Sequence, residues 1–334
     1  MIVSVLMPTY KHEGTISRAI ESFLAQSVTS EKGISELIIS DDSSPDSTSE
    51  ICKKYQMKYP DIIRYYRQEK NLGLIANYGF LMSKTAAKYI AILESDDYWT
   101  DPCKLQMQIS IMEQRSTCGL VYTDCSFLHQ KADASSKESE MAPVHSHEIK
   151  TTDIEPYIKI IPCPEMFLQL IKSNSIPAVT VLFRRALFER YCNMEEYIRA
   201  KFVTFDYPVW LTLATVSDFC RLNINTATYT INKDSVSNTV SYESRLNFQK
   251  GIDVIHNYIC NHIDNEKITI YSDTIKNERT VKHMLMELQF GHKEEFYKLS
   301  HQISGYKLKW LLIRLFPLLF MLKKRKYLNN KLMQ

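Results

Sequence analysis

Apolar runs of strand length alternate with amphipathic stretches along the first 125 residues of the chain. The apolar runs occupy residues 2–7, 37–40, 62–67, 89–93 and 119–123. Between the first two runs, apolar side chains recur at the spacing of one buried helix face, at Ile16, Ala19, Ile20, Phe23 and Leu24. Strand and helix alternate four times in this region. This alternation predicts an α/β fold with a mostly parallel, Rossmann-like sheet flanked by helices.

Two further helices are predicted from residues that are typical of helix starts. Ser47 and Glu50 have the spacing of a capping box, in which each side chain bonds the backbone N–H of the other residue. Asp101 followed by Pro102 fits an N-cap and a proline in the first turn. We therefore expect helices to begin directly after Ser47 and at Pro102.

Carboxylates follow two of the predicted strands directly. They are Asp41, Asp42 and Asp46 after the run at 37–40, and Glu94, Asp96 and Asp97 after the run at 89–93. The first strand leads into residues 8–14, PTYKHEG. Because ligands of parallel sheets bind beyond the carboxyl ends of the strands, we expect these segments to share one rim. Crowded carboxylates repel one another, so their spacing indicates either a bound cation or a solvated loop.

The composition limits the kinds of site that the chain can contain. Its eight glycines are scattered, so neither a GxGxxG motif nor a Walker loop is present. Its eight cysteines form no CxxC pair, which indicates reduced thiols and neither a zinc knuckle nor a disulfide scaffold. A phosphate-bearing ligand would then need a metal held on acidic side chains, and oxygen ligands favour Mn²⁺ or Mg²⁺. We predict that Asp96 and Asp97 bind this ion.

Charge is distributed unevenly along the chain. The net charge is +3, but residues 304–334 contain eight Lys or Arg and no Asp or Glu, which leaves an acidic body. Within this tail, residues 310–322 (WLLIRLFPLLFML) are too short and too interrupted to span a bilayer. Apolar residues with basic flanks are typical of a segment on an anionic membrane surface, and a helix packed on the body is the alternative. The acidic body argues against nucleic-acid binding.

Four segments carry a more specific signal together than any of them does alone. They are VSVLMPTYKHEGTISRAIESFLAQS (3–27), LIISDDSSPDSTSEI (37–51), NLGLIANYGF (71–80) and YIAILESDDYW (89–99). In this order they resemble the catalytic domain of family 2 glycosyltransferases with the GT-A fold, of the kind that builds bacterial surface polysaccharides. The resemblance is strong over residues 3–125 and looser to about residue 240.

In that family, the first strand end and the acidic loops hold a nucleotide sugar and a metal ion. The resemblance implies nucleotide-sugar contacts from Pro8, Thr9, Tyr10, Glu13, Asp41, Asn71, Gly73, Asn77, Glu94 and Asp96, and metal binding by Asp96 and Asp97. This sequence has Glu94 where the family usually has aspartate, and Lys11 where it commonly has asparagine. Lys11 either contacts a phosphate or is solvated at a helix start.

Residues 201–219, KFVTFDYPVWLTLATVSDF, are similar to the family segment in which an aspartate ahead of a tryptophan-bearing helix acts as catalytic base. The resemblance assigns this role to Asp206. Inverting sugar transfer needs a base, because the acceptor hydroxyl loses its proton as it attacks the anomeric carbon. The alternative is that Asp206 is a helix N-cap. Further along, Thr230 and Asn232 stand where relatives carry arginine and histidine.

We therefore expect a GT-A catalytic domain at residues 1–230 and a mostly helical region at residues 231–334 that ends in a basic, membrane-associating tail. The expected reaction is inverting, metal-dependent transfer of one sugar from a UDP-sugar to a glycan or lipid-linked acceptor in capsule or O-antigen biosynthesis. A nucleotidyltransferase and a noncatalytic nucleotide-sugar binder are the alternatives. Without a secretory signal pattern at its start, the protein is expected in the cytoplasm, on the inner face of the cell membrane.

Overall fold

The computed structural model describes residues 1–30, 34–129, 151–231, 241–262 and 265–302 of the 334-residue chain. The chain divides into two compact units, Met1–Thr239 and Val240–Gln334. In the described residues, the first unit contains a β-sheet with helices and the second contains helices. The tail at residues 304–334, for which membrane contact is predicted, lies outside the described residues.

The strands of the first unit form one sheet, with nine strands in the described residues. They are β1 (Val3–Thr9), β2 (Ser35–Asp41), β3 (Ile63–Arg67), β4 (Tyr89–Ile92), β5 (Tyr98–Trp99), β6 (Cys118–His129), β7 (Ile158–Ile161), β8 (Val181–Arg184) and β9 (Asp218–Ile231). Their order across the sheet is β3-β2-β1-β4-β8-β6-β9-β5, with β7 paired to β9. All five apolar runs form strands, namely β1 to β4 and β6, as the sequence pattern predicts.

The half of the sheet that contains β1 is parallel, and the other half is mixed. β1 pairs in parallel with β2 and β4, and β2 pairs in parallel with β3. β8 runs antiparallel to both of its neighbours, β4 and β6, while β5 and β7 run antiparallel to β9. The first four strands are parallel to their neighbours, as predicted, and β6 and β9 also pair in parallel. The sheet is mixed because β8, β5 and β7 run in the opposite direction to their partners.

The helices alternate with the strands in the first unit and follow one another in the second. The α-helices in the described residues are α1 (Ile16–Leu24), α2 (Thr48–Lys58), α3 (Leu74–Ser83), α4 (Lys104–Gln114), α5 (Thr151–Ile154), α6 (Cys163–Lys172), α7 (Arg185–Tyr191), α8 (Met194–Arg199), α9 (Asp206–Leu213), α10 (Tyr242–His262), α11 (Asn265–Phe290) and α12 (Lys293–Ser300). Short 3₁₀ helices occupy Ser27–Ser30, Glu155–Tyr157 and Ala178–Thr180.

Two helix starts differ in detail from the sequence prediction. α2 begins after Ser47, but the predicted capping box does not form, because Ser47 makes no side-chain cap bond. Instead, the backbone N–H of Thr48 donates to Oδ1 of Asp46 at 3.2 Å. α4 begins at Lys104 and not at Pro102. Asp101 shapes the turn before it, since its Oδ1 accepts the N–H of Cys103 at 2.8 Å.

The core of the first unit joins the parallel strands to the helices beside them. Met7 of β1, Ile39 of β2, Ala91 of β4, Phe23 of α1 and Leu105 of α4 are fully buried in one cluster. Burial of apolar surface is the main stabilising contribution to such a core. Because one cluster contains β1, β2 and β4, the carboxyl ends of these strands are fixed relative to one another.

The described residues of the second unit confirm the predicted helical C-terminal extension. Its helices are α10, α11 and α12, and Met284, Leu288 and Phe296 form a small buried cluster within it. Within the described part of the chain, no helix combines the length and the apolar character needed to cross a bilayer.

Candidate active site

The carboxyl ends of β1, β2 and β4 meet at one rim of the sheet. Thr9 at the end of β1 pairs with Asp41 at the end of β2, and the N–H of Asp42 donates to the carbonyl of Thr9 at 2.9 Å. On the other side of β1, the N–H of Leu93 donates to the carbonyl of Leu6 at 3.1 Å. The three predicted site segments therefore begin next to one another.

The turn after β4 gathers three carboxylates, those of Glu94, Asp96 and Asp97. One oxygen from each lies within 4.8 Å of the others, and this is the one such group of three in the described residues. Asp97 is 1% exposed, and the other two are half-buried. Burial, and then the charges of Asp96 and Asp206, raise the pKa of Glu94 to about 8. Burial and the neighbouring carboxylates also raise the pKa of Asp97 well above its usual range.

Two residues from distant parts of the chain hold this acidic turn. Thr230 of β9 donates its backbone N–H to Oδ1 of Asp97 at 2.7 Å and its hydroxyl to the carbonyl of Asp96 at 2.6 Å. Arg18 of α1 donates to the same carbonyl at 3.4 Å, and its guanidinium carbon lies 4.1 Å from the ring centroid of Tyr98. The positive charge of Arg18 lowers the pKa of Asp97, although burial outweighs this effect. The protein thus neutralises the acidic turn only in part.

The chemistry of the acidic turn fits a divalent cation. Oδ2 of Asp97 is buried and has no hydrogen-bond partner among the described residues. A buried carboxylate oxygen without a partner costs free energy unless a ligand or ion contacts it. Glu94 and Asp96 supply further oxygen ligands of the kind that Mn²⁺ and Mg²⁺ prefer.

Ser95, between the carboxylates, connects the acidic turn to the loop after β1. Its hydroxyl donates to the carbonyl of Pro8 at 3.2 Å, and its oxygen lies 2.5 Å from Nδ1 of His12. A serine hydroxyl has one proton, so the proton in the second bond must come from Nδ1 of His12. The contact between Ser95 and His12 links the acidic turn to the residues that follow β1.

The end of β1 and the loop after it contain Pro8, Thr9, Tyr10 and Glu13, to which the family resemblance assigns nucleotide-sugar contacts. Pro8 and Thr9 are buried, and the Thr9 hydroxyl has no hydrogen-bond partner in the described residues. Tyr10 is 40% exposed, so its ring is open to a ligand. Glu13 is exposed, and its Oε2 accepts the N–H of Ser47 at 2.9 Å.

Lys11 adopts a left-handed backbone conformation at the position where the family resemblance leads us to expect asparagine. Its φ is +61°, in the left-handed region that asparagine tolerates better than lysine. The strain is offset locally, because the N–H of Lys11 donates to Oγ of Ser44 at 3.0 Å. The side-chain Nζ of Lys11 lies 5.1 Å from the ring centroid of Tyr10.

Asp41 lies at the rim, but its carboxylate is bonded within the protein. The side chain is fully buried; Oδ1 accepts the N–H of Ser44 at 2.8 Å, and Oδ2 accepts the hydroxyl of Tyr65 at 2.9 Å. These bonds shape the loop after β2. The assignment of Asp41 as a direct nucleotide contact stays a prediction.

Asn71 and Gly73 form a turn that Asp42 holds against the end of β2. The two carboxylate oxygens of Asp42 accept the N–H groups of Leu72 at 2.6 Å and of Gly73 at 2.9 Å. The Asn71 amide donates to the carbonyl of Asp42 at 3.1 Å. Gly73 has φ +83° before α3, a conformation that favours glycine. The turn therefore lies beside the end of β2, and its contact with the nucleotide sugar stays a prediction.

Asn77, also assigned to the nucleotide sugar, is buried in α3 and bonds to β2. Its Nδ2 donates to the carbonyl of Ser40 at 3.0 Å, and its Oδ1 accepts the Ser40 hydroxyl at 2.5 Å. Both ends of the amide are used in joining α3 to the sheet. This geometry favours a structural function for Asn77, and a direct contact with the nucleotide sugar stays a prediction.

Asp206 lies near the acidic turn, and Tyr78 connects the two. Asp206 is the first residue of α9, with Phe205 at the N-cap position, so the N-cap alternative is wrong in detail. Tyr78 of α3 donates its hydroxyl to Oε1 of Glu94 at 2.9 Å, and its ring stacks on Phe205 with the centroids 3.9 Å apart. Burial raises the pKa of Asp206. The amide of Asn174 donates to its Oδ2 at 2.8 Å.

The family model described as glycosyl transferase family 2 matches residues 4–170, which is half of the chain. The chain belongs to this family. The family resemblance of the four segments is therefore confirmed, and the members of the family are sugar-transferring enzymes.

Two relatives show how far the similarity extends. An uncharacterized protein of Mycobacterium tuberculosis is 31% identical over 142 residues, which are 42% of this chain and 39% of that protein. The putative teichuronic acid biosynthesis glycosyltransferase TuaG of Bacillus subtilis is 28% identical over 186 residues, or 56% of this chain and 69% of TuaG. The chain spans about two fifths of the length of the mycobacterial relative.

A solved structure supports the fold over most of the chain. Residues 1–349 of TarS from S. aureus, in complex with UDP-GlcNAc, superpose with a TM-score of 0.61 at 15% identity. The match covers 91% of this chain and 80% of that chain. At this identity the similarity concerns the fold alone, and it confirms the predicted GT-A class.

Three residues of the site were not selected by the sequence pattern: His12, Arg18 and Tyr78. His12 and Arg18 lie within the first of the four family-like segments, and Tyr78 lies within the third. Arg18 and Tyr78 occur on helices, where a single arginine or tyrosine is unremarkable. Membership of those segments is the signal that could have found them.

Proposed function

We propose that the chain is an inverting, metal-dependent glycosyltransferase that moves one sugar from a UDP-sugar to a hydroxyl of a glycan or lipid-linked acceptor. The observation that carries the proposal is the cluster of Glu94, Asp96 and Asp97 within 4.8 Å, with the charge of Asp206 acting on Glu94. A metal site and a candidate base at one rim are the two parts that this reaction needs. The similarity to TuaG supports a place in surface polysaccharide biosynthesis, such as capsule or O-antigen.

Asp96 and Asp97 are the proposed metal ligands, and Glu94 is a third carboxylate beside them. The unpartnered Oδ2 of Asp97 is the feature that fits an ion most directly. A bound Mn²⁺ or Mg²⁺ would supply charge neutralisation for the departing nucleoside diphosphate. The protein's own contribution is to hold the carboxylates in place through Thr230 and Arg18.

The nucleotide is proposed to lie along the loops after β1 and β2. The exposed ring of Tyr10 and the unpartnered hydroxyl of Thr9 are available to it. The other proposed contacts of the nucleotide sugar are Pro8, Glu13 and Glu94. The loops that carry these contacts are held by hydrogen bonds of Asp41, Asn71, Gly73 and Asn77. The acceptor then approaches from the side of Asp206.

Asp206 is the proposed catalytic base. Its carboxylate accepts the proton of the acceptor hydroxyl while that oxygen bonds to the anomeric carbon and the bond from this carbon to the diphosphate oxygen breaks. Attack opposite the leaving group inverts the anomeric configuration. Burial raises the pKa of Asp206, which strengthens it as a base.

The organisation of the chain is part of the proposal. Residues 1–230 form the catalytic domain, and residues 231–334 form a helical region with the basic tail at 304–334, which would bring the enzyme to the cytoplasmic membrane surface. This tail lies outside the described residues, so its role rests on the sequence. Cosedimentation with anionic vesicles, compared between the full chain and a form ending at residue 303, tests it. Equal sedimentation of both would contradict membrane contact through the tail.

Release of nucleoside diphosphate from a panel of UDP-, GDP- and dTDP-sugars, measured with Mn²⁺ and with EDTA, tests the reaction. Turnover that requires Mn²⁺ and one nucleotide class is expected. Asp206→Asn should abolish turnover and leave Mn²⁺-dependent binding of UDP unchanged, because Asp206 is not a proposed metal ligand. Binding without turnover in the wild-type chain, with every donor and with added glycan acceptors, would instead identify a noncatalytic nucleotide-sugar binder.

A further inference from the structure

Asn174, which is not among the site residues predicted from the sequence, contacts the carboxylate of Asp206. Its Nδ2 donates to Oδ2 of Asp206 at 2.8 Å. Asn174 lies between α6 and the 3₁₀ helix Ala178–Thr180, whereas Asp206 begins α9. The bond therefore joins two segments that are 32 residues apart in the sequence.

The segment that carries Asn174 is fixed to α9 on both sides of this bond. Before Asn174, the carbonyl of Leu170 accepts the hydroxyl of Tyr207 at 3.1 Å. After Asn174, the carbonyl of Ile176 accepts Nε1–H of Trp210 at 3.2 Å. Leu170, Ile176, Tyr207 and Trp210 are all buried. Because residues of α9 itself make both bonds, Asn174 and Asp206 have little freedom to move relative to each other.

We propose that Asn174 is a positioning residue whose amide sets the orientation of the Asp206 carboxylate for the acceptor hydroxyl. The inference rests on the proposed function, in which Asp206 is the base. The terminal torsion of an aspartate is broad and roughly two-fold, so packing alone orients it weakly. An ionised carboxylate accepts about four hydrogen bonds, and the bond from Asn174 uses one of these positions, on Oδ2.

A hydrogen-bond donor also favours the ionised form of the base. The bond from Asn174 lowers the pKa of Asp206 and so opposes the larger, raising effect of burial. The titratable groups that interact with Asp206 are Glu94 after β4, Tyr78 of α3 and Tyr207 of α9. None of these three is changed when Asn174 is replaced. Loss of the amide should therefore raise the pKa of Asp206 and slow the chemical step without weakening donor binding.

The test compares Asn174→Ala and Asn174→Asp with Asn225→Ala. Asn174→Asp keeps the shape of the side chain but removes the donor and adds a like charge. Asn225 is a matched control, because it is also exposed and its amide donates to a serine hydroxyl, that of Ser126, at 2.7 Å. Protein labelled with ¹³C at aspartate is titrated, and the carboxyl signal of Asp206 is assigned by its loss in Asp206→Asn. Release of UDP from UDP-N-acetylglucosamine, UDP-glucose and UDP-galactose is measured over the same pH range.

We expect the pKa of Asp206 to rise in Asn174→Ala, to rise further in Asn174→Asp and to stay unchanged in Asn225→Ala. We expect the maximal rate of UDP release to fall by about tenfold to a hundredfold in both Asn174 variants, with its acid limb at higher pH and KM unchanged. A pKa of Asp206 and a pH profile that match the wild type in both variants would overturn the inference. If Asp206→Asn is inactive in that experiment, the proposed function stands. If Asp206→Asn keeps full activity, Asp206 is not the catalytic base, and the proposed function is contradicted on that point.

Discussion

Thr230 donates its backbone N–H to Oδ1 of Asp97 over 2.7 Å, although 133 residues separate the two in the sequence. The hydroxyl of Thr230 donates to the carbonyl of Asp96 as well. The end of β9 thus fixes the acidic turn after β4. Thr230 contacts the acidic turn because β9 pairs with β5, whose residues Tyr98 and Trp99 follow that turn directly.

Thr230→Val should weaken metal binding at the acidic turn. Valine keeps the shape of threonine and the backbone N–H but removes the bond to Asp96, and one hydrogen bond is worth about 0.5–1.5 kcal/mol. We expect the affinity for Mn²⁺ to fall by about 2- to 13-fold in isothermal titration calorimetry. Thr228→Val, two residues earlier on β9, is the control and should bind Mn²⁺ as the wild type does. Equal loss in both variants would show that the effect comes from the strand and not from the Thr230 hydroxyl.

Tyr78→Phe should disturb the site through Glu94. The Tyr78 hydroxyl is a donor to Glu94, and this bond lowers the pKa of Glu94 against the raising effect of burial. Without it, Glu94 holds its proton to higher pH, so Mn²⁺ should bind more weakly at neutral pH and regain affinity as the pH rises. Tyr55→Phe is a matched control, because the Tyr55 hydroxyl donates to an exposed glutamate, Glu21, at 2.7 Å. A pH-independent loss of Mn²⁺ affinity in Tyr78→Phe would contradict this explanation.

The metal-free protein should become less stable as the pH rises toward 8. The pKa of Glu94 is about 8 in the folded chain, against an ordinary value of 4.5. A carboxyl group whose pKa is raised by folding stabilises the protein fully below the ordinary value and loses this contribution as the pH rises through the folded value. The melting temperature in EDTA should therefore fall between about pH 5 and 8. Mn²⁺ should reverse part of this fall.

Glu94→Gln is the test of that assignment, because glutamine has a similar shape and does not titrate. Its melting temperature in EDTA should vary less with pH than that of the wild type over the same range. An equally steep fall in Glu94→Gln would assign the pH dependence to another group.

Lys104 should give the opposite pH dependence of stability. Its fully buried Nζ donates to Oε1 of Gln108 at 2.7 Å and lies 4.5 Å from the ring centroid of Trp99. Burial lowers the pKa of Lys104 from 10.5 to about 7. Between these values the unfolded chain holds a proton that the folded chain lacks, so stability from this group rises with pH.

Lys104→Met should remove that rise, which thermal unfolding between pH 7 and 9.5 would detect. The exposed Lys53 of α2 provides the control variant, Lys53→Met, which should keep the wild-type dependence. If the melting temperatures of the wild type and Lys104→Met change equally with pH, Lys104 does not titrate in this pH range.

The sequence pattern predicts the elements of the site better than their contacts. The runs that form β1, β2 and β4 are apolar and bounded by acids, so their position at one rim follows from the rule for parallel strands. β8 could not be placed in the same way, because its insertion between β4 and β6 depends on a nonlocal pairing. Periodicity describes one element at a time and carries no information about such pairings.

In the candidate site as well, the sequence predicts which residues take part better than it predicts their contacts. Glu94, Asp96, Asp97 and Asp206 are found from residue type and family-like segments. The amide of Asn77 and the carboxylate of Asp41 are hydrogen-bonded within the protein, which residue type and motif alone do not reveal. Asn174 is not among the predicted site residues, and the fold places its amide on Asp206.

Calorimetric titration of UDP into the wild-type chain and Asp97→Asn, each with Mn²⁺ and with EDTA, tests the central claim most directly. Asparagine retains an Oδ1 that can accept the N–H of Thr230, so the variant should fold, and its melting temperature checks this. We expect the wild type to bind UDP at least about tenfold more tightly with Mn²⁺ than with EDTA, and Asp97→Asn to bind equally weakly in both. Equal affinity of the wild type for UDP in Mn²⁺ and in EDTA would contradict the proposal that these carboxylates hold an ion for the diphosphate.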